Sequence, residues 1–212
     1  MLNSKKMDTR KLTQLSILIA IEAIMAFVPI LGSIPLGPIV ATTAHIPVII
    51  AAVTMGVGAG AFMGFVFGLF SFIVHSFVTP TITSFVFTPI VSVGEVGGSF
   101  WSLVICFVPR ILLGVSAALL YKWFSEIDKK DRWSYIVSSV LASMLHTVLV
   151  LGGIFLFFRD SYSEAIGQAA DLLLGLIGAT IVTNGIPEAI LAAIVTVAVA
   201  IPIKKVMKKS IR

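Results

Sequence analysis

The sequence predicts an all-α membrane protein with six transmembrane helices, N and C termini in the cytoplasm and long extracellular capping loops. It reads as a single integral membrane domain over 1–212. Three observations carry that expectation. Of 212 residues, 58% are hydrophobic and only 12% charged, with a mean hydropathy of +1.09; a water-soluble domain needs about 25% charged residues to cover its surface. Apolar runs of roughly 20 residues, the length that crosses a hydrocarbon core as helix, alternate with short breaks, and the short alternating segments of a transmembrane barrel are absent. Finally, all of the 15 Lys and Arg except Arg110 and Arg159 fall in three clusters. These are the head (Lys5, Lys6, Arg10, Lys11), a middle loop (Lys122, Lys129, Lys130, Arg132) and the tail (Lys204, Lys205, Lys208, Lys209, Arg212).

The positive-inside rule assigns all three clusters to the cytoplasm. The net charge of +5 is thereby accounted for at the membrane surface, and no nucleic-acid partner is expected. The head 1–11 is followed by an apolar stretch too long for a signal peptide, so the first span is expected to be retained. Spans are expected at about 12–31, 43–55 (entered from an apolar approach at 34–42), 59–78, 104–123, 134–157 and 185–203. The cytoplasmic loop 124–133 divides four spans from two and is flanked by Trp123 and Trp133, residues suited to the headgroup level. The basic tail is 204–212. Three long connections, 32–42, 79–103 and 158–184, fall on the outside. They are apolar and rich in Pro and Gly, as expected of a cap folded back over a cavity; 165–183 reads as an interfacial or partly re-entrant helix. One cysteine, Cys106, excludes an intrachain disulfide.

Gly56, Gly60, Gly64 and Gly68 recur every four residues in the third span, so they share a face that admits another backbone closely. Packing inside the bundle is the expected use; docking of a partner subunit is the alternative. Ser16 and Ala20, followed by Ala23 and Ala26, form a second small-residue face on the first span that suits either purpose.

Ionisable and polar groups are concentrated in the middle and outer half of the membrane. Counted from the cytoplasmic ends at about 1.5 Å per residue, Glu22, His45, Arg110 and His146 lie roughly 15–21 Å deep; His75, Asn184 and Glu188 lie roughly 24 Å or more. An intramembrane charge costs about 2.5–3.5 kcal/mol on insertion scales, so such residues face the interior and find partners. Glu22 and Arg110, of opposite sign at matched depth, are expected to neutralise each other, either as a structural pair or as part of a polar pocket open to the outside. No two histidines share a span, no ligand spacing points to a metal, and there is no GxxxxGK[ST], HExxH or GxSxG. Neither an enzyme nor a cofactor is expected; binding or transport is.

The stretch "GSIPLGPIVATTAHIPVIIAAVTMGVGAGAFMGFVFGLFSFI" (32–73) resembles the vitamin-binding S components of energy-coupling factor (ECF) transporters, as do "PRILLGVSAALLY" (109–121) and "NGIPEAILAAIV" (184–195), with pantothenate-type members the most similar. The resemblance implies a multi-pass subunit in the cell membrane of a prokaryote that binds its vitamin from outside, beneath the three long loops. It implies partners too: a transmembrane T component and two ABC ATPases, docked through small residues of the first span, here Ser16 and Ala20 with Ala23 beside them. Ser16 stands where the family more usually has Ala. Pantothenate, small and anionic, would meet Arg110 with its carboxylate and Asn184, His146 or Thr43 with its hydroxyl and amide groups; Glu22, His45 and Glu188 complete the expected site. Riboflavin or another vitamin is the alternative ligand. An autonomous proton-coupled transporter, with Glu22 and the histidines as relay, is the alternative of another class.

Overall fold

The computed structural model describes residues 9–28, 32–36, 39–128 and 132–209. Seven helices dominate it: α1 (Thr9–Phe27), α2 (Ile46–Met55), α3 (Val57–Ile73), α4 (Phe100–Ile127), α5 (Arg132–Ala165), α6 (Leu173–Thr180) and α7 (Ile186–Lys209). Two antiparallel hairpins sit among them. β1 (Ser33–Leu36) pairs with β2 (Ile39–Thr42) in the first outer connection, from Ser33↔Thr42 to Leu36↔Ile39. β3 (Ser92–Val93) pairs with β4 (Val96–Gly97) in the second.

Four helical stretches among the described residues are long and apolar enough to cross a bilayer: Val57–Val78, Phe100–Ile127, Arg132–Ala165 and Ala170–Val206. Four of the six predicted spans are therefore found, as helices that overrun their predicted bounds; α1 and the short α2 are not among these four. The expected interfacial or re-entrant segment at 165–183 is instead a short 3-10 turn (Ala170–Leu172), then α6, joined through the π turn Ile181–Gly185 to α7 in one continuous rod. Likewise the described residues of the apolar approach at 34–42 pair as the first hairpin rather than extending the second span. α1 has 19 residues and carries Arg10, Lys11 and Glu22. Of the three basic clusters, Lys5, Lys6, Lys129, Lys130 and Arg212 lie outside the described residues.

α2 has only 10 residues, a rise of about 15 Å, half of a hydrocarbon core of about 30 Å. Pro47 opens it and Gly56, at φ 93°, ends it. Residues 46–53 are all buried, because α1, α3, α4 and α7 pack around the helix. α2 thus forms the plug of the bundle. Around it lies the larger core cluster, with Leu18, Met63, Leu113, Ala117, Tyr135, Ala142 and Ala192. A smaller cluster, Phe85, Val86, Val96, Ile105, Ile154 and Phe158, seats the second outer connection on α4 and α5. That connection is also tied down by Ser102, whose hydroxyl donates to Phe85 O (2.6 Å) while its Oγ accepts from Ser99 N in a capping box at the start of α4. Ile17, Phe62, Leu119, Leu156 and Ile194 are exposed on the perimeter, as lipid requires.

The glycines of α3 form a seam with α4. A Cβ at Gly60 would collide with the backbone of Gly114, one at Gly64 with the backbone of Arg110, and one at Gly68 would press on Phe107. The Cys106 thiol donates to Gly68 O at 3.3 Å. The contacts descend α4 as they climb α3, in steps of four, so the two helices run antiparallel in one fixed register. Gly56 is the exception to the predicted stripe: it lies outside α3, its positive φ makes the turn from α2, and a Cβ there would meet nothing within 4 Å.

At the other end of the bundle Tyr121 and Tyr135 stack at 4.6 Å and the Lys204 ammonium donates to the Tyr121 hydroxyl. Asp128 Oδ2 accepts from Trp133 N (2.8 Å) and Ser134 N (3.2 Å), closing the α4–α5 turn. The seam predicts that Gly64→Ala lowers the unfolding midpoint of the purified protein in detergent, since a methyl forced onto backbone costs about 1–3 kcal/mol. Gly152→Ala, where a Cβ meets nothing within 4 Å, leaves that midpoint in place or raises it.

Candidate functional site

One cavity of about 440 Å³ opens among the helix ends remote from the basic loop, within the size range of small-molecule sites. Met25 and Ala26 of α1, Thr42 at the end of the first hairpin, and His45 ahead of α2 form one side. Phe67 and Ser71 of α3, His75 of the π turn Val74–Val78, Phe87 of the second outer connection and Arg110 of α4 form another. His146 and Thr147 of α5 with Thr180, Asn184 and Glu188 of the α6–α7 rod form a third side. His75 and Asn184 both sit in π turns. Such wide turns recur at functional sites because the extra residue re-aims the side chains and relaxes the backbone hydrogen bonds.

Arg110 is only 5% exposed, and its position follows from the residue before it. Pro109 lies inside α4 and has no N–H, so the carbonyl four residues earlier, Ile105 O, loses its helical donor. Arg110 Nη1 donates to that carbonyl at 2.7 Å. Nη2 donates weakly to Ser71 Oγ at 3.5 Å, and the guanidinium carbon lies 5.5 Å from the Phe67 ring centroid and 4.9 Å from that of Phe87, within cation–π range. Nε has no hydrogen-bond partner among the described residues. The guanidinium is therefore positioned but not neutralised.

The expected Glu22–Arg110 pair is not formed. Glu22 is fully buried, and neither of its oxygens has a hydrogen-bond partner among the described residues. It does not line the cavity; Met25 and Ala26, one turn farther along α1, do. Thr43 is buried beside the cavity rather than in its wall, which its neighbours Thr42 and Ala44 line instead.

The remaining predicted residues, His45, His146, Asn184 and Glu188, converge with Arg110 on this one space. His45 Nε2 and Ser143 Oγ are 3.1 Å apart. The His45 and His146 rings stack with centroids 6.2 Å apart, and His146 Nε2 is buried with no partner among the described residues. His75 Nδ1 meets Ser84 Oγ at 3.0 Å while its ring stacks on Phe87 at 4.7 Å. Phe87 is thus held between an imidazole and a guanidinium. Asn184 Oδ1 accepts from Thr183 Oγ1 at 2.9 Å, leaving the amide NH2 as donor. Glu188 Oε1 accepts from the backbone N of Thr42 (2.8 Å) and from its hydroxyl, fastening the first hairpin to α7.

Sequence reasoning missed Phe67, Ser71, Phe87 and Thr42. Phe67, Ser71 and Val74 share a helical face, i, i+4, i+7, adjoining the glycine stripe, a legible signal. Phe87 and Thr42 lie in irregular chain, where no period marks them. On the first span Ser16 and Ala20 are exposed and Ala23 half-buried, while Ser16 Oγ donates within the helix to Leu12 O at 2.9 Å.

Comparison with known proteins places the chain in a family. Residues 10–200 match the family described as ECF transporter, substrate-specific component. The chain is 34% identical over 197 residues to the pantothenic acid transporter PanT of Lactococcus lactis subsp. cremoris (strain MG1363), covering 92% of this chain and 92% of that protein. The chain belongs to the ECF transporter substrate-specific components, multi-pass proteins of the cell membrane and a transport family rather than an enzyme class.

Proposed function

We propose that this member of the ECF substrate-specific components binds pantothenate from outside the cell, with the ligand carboxylate on Arg110, and delivers it through a separate coupling module. The observation that carries the reading is Arg110: a buried guanidinium in the wall of a small-molecule cavity, with an unsatisfied Nε and no carboxylate beside it among the described residues. The planar fork of an arginine suits a carboxylate, and the charge-assisted bonds are strong where water is excluded. The Lactococcus relative, a pantothenic acid transporter, supports the same ligand. So does the lining, whose rings besides the histidines are Phe67 and Phe87; no Trp or Tyr ladder is there to sandwich a flavin.

In this reading α1 and α2 count with the four longer stretches as six crossings, and the basic clusters put both termini inside. Partners are a transmembrane T component and two ABC ATPases. The exposed Ser16–Ala20 face of α1 is the docking surface, since small residues at i and i+4 let a partner helix approach closely, and Gly60, Gly64 and Gly68 serve internal packing. His45, His146, Asn184 and Glu188 meet the polar body of the ligand.

Arg110→Ala is expected to weaken pantothenate binding by at least about a hundredfold in calorimetry on the detergent-purified protein, the scale for removing one partner of a buried charge pair; unchanged affinity removes Arg110 from the site. Pro109→Ala returns a helical donor to Ile105 O and frees Nη1, so affinity should fall several-fold while the protein still unfolds cooperatively. Ala20→Leu is expected to leave ligand binding intact and to abolish uptake by the assembled transporter in liposomes. Normal uptake by that variant would place docking elsewhere.

A further inference from the structure

Arg110 and Glu188 carry opposite charges into the walls of one cavity, yet they do not pair with each other. Arg110 is held by Ile105 O, Ser71 and two rings; Glu188 Oε1 is held by Thr42. The ion pair seen among the described residues, Arg159–Asp171, lies elsewhere, on the surface. Two unlike charges that face one space without meeting define a polarity, and a ligand that fills the space has to match it. The Glu188 wall is otherwise uncharged: Thr180 and Asn184 lie on the same rod and line the same cavity. No described residue donates a hydrogen bond to Glu188 Oε2, so this oxygen remains available as an acceptor.

We infer that Glu188 is a specificity-determining residue that reads the end of the ligand opposite its carboxylate: it accepts hydrogen bonds from hydroxyl or amide N–H groups there and repels a second anion. This rests on the placement of the ligand carboxylate at Arg110 proposed above. A carboxylate has acceptor capacity only, so it rewards donors and penalises any other acceptor-only group, a phosphate above all. The cavity therefore selects monocarboxylates with a hydroxylated or amide-bearing far end, in one orientation. It rejects dicarboxylates and the same ligand esterified with phosphate on its terminal hydroxyl. Discrimination of this kind comes as much from the charge that turns a competitor away as from contacts to the preferred ligand.

The test uses the full chain in detergent, with calorimetric titration of three probes: pantothenate, its alcohol analogue with CH2OH in place of the carboxylate, and its ester phosphorylated on the terminal hydroxyl. The unaltered protein is expected to bind the phosphate ester at least about a hundredfold more weakly than pantothenate. Glu188→Gln should narrow that gap by about tenfold or more and weaken pantothenate and its alcohol analogue by the same factor, because they share the end Glu188 contacts. Asn184→Asp, which adds a second carboxylate to that wall, should widen the gap. Thr42→Val removes the hydroxyl bond to Glu188 but not its charge, so it keeps the gap whatever it does to overall affinity. A gap unchanged in Glu188→Gln, or a Thr42→Val protein that reproduces the Glu188→Gln pattern, overturns the inference and leaves Glu188 as a fastening for the hairpin. Arg110→Ala separates the two proposals. If it weakens pantothenate but not the alcohol, the carboxylate placement stands whatever Glu188 does; if pantothenate is unaffected, the placement itself fails.

Discussion

The close approach of α3 to α4 is the constraint on which the rest of the structure depends. With Gly60 against the Gly114 backbone and Gly64 against the Arg110 backbone, no side chain separates the two helices at those steps, and at Gly68 the Cys106 carbonyl and the Phe107 ring close the seam. In lipid there is little hydrophobic drive to bring helices together, so contact between bare backbones supplies much of their attraction. It also fixes height. A slip by one helical turn would bring Ala118 or Arg110 opposite Gly60 in place of Gly114, so the closest backbone approach would be lost. Because Arg110 is itself one of those steps, its depth in the membrane and its distance from Phe67 and Ser71 are set by the packing of the scaffold rather than by its own interactions.

A guanidinium at that depth would be costly if it had only lipid and apolar side chains around it. Pro109 answers part of the cost from inside the same helix, by leaving Ile105 O without its usual donor and so available to Nη1. Phe67 and Phe87 answer another part with their ring faces. Neither supplies a negative charge. An ion pair with Glu22 would have been the cheaper structural solution, and its absence is informative: a charge kept positioned and uncompensated next to a cavity suits a ligand that brings the counter-charge. The second outer connection shares in this, since Phe87 comes from it and is stacked on His75, which Ser84 of the same connection orients.

Much of the bundle was legible in the sequence because lipid makes the requirements severe: four of the predicted apolar spans became long helices, and the glycine stripe became a helix seam. The polar residues were legible for the same reason, and five of the seven expected binding residues line one cavity. Depth, however, is only one coordinate. Glu22 and Arg110 were matched by height, but α1 packs on α2 and α3 and turns Glu22, with Leu18, toward that interior, whereas Arg110 looks into the cavity from α4. Helical period gives azimuth within one helix; which helices are neighbours is a tertiary outcome that it does not encode. The hairpin at 33–42 escaped notice because its apolar residues read as the start of a span, and Phe87 because a single aromatic in irregular chain has no periodicity to reveal it.

The floor of the cavity bears on how the ligand leaves. Beneath His45 the chain enters α2, whose residues 46–53 are enclosed on all sides and held by the close van der Waals packing that joins helices in lipid. A path from the cavity through the bundle would require that plug to be dismantled, along with Leu18, Met63 and Leu113 packed against it. The mouth is held by the Thr42–Glu188 contact, the Ser102–Phe85 bond and the apolar seating of the second connection, all outside that plug. The open side of the cavity, rather than the packed core, is therefore the route these contacts leave to a ligand. A binding subunit built this way offers its ligand no open route through the packed core, and membership of the ECF substrate-specific components implies that it works with separate partners.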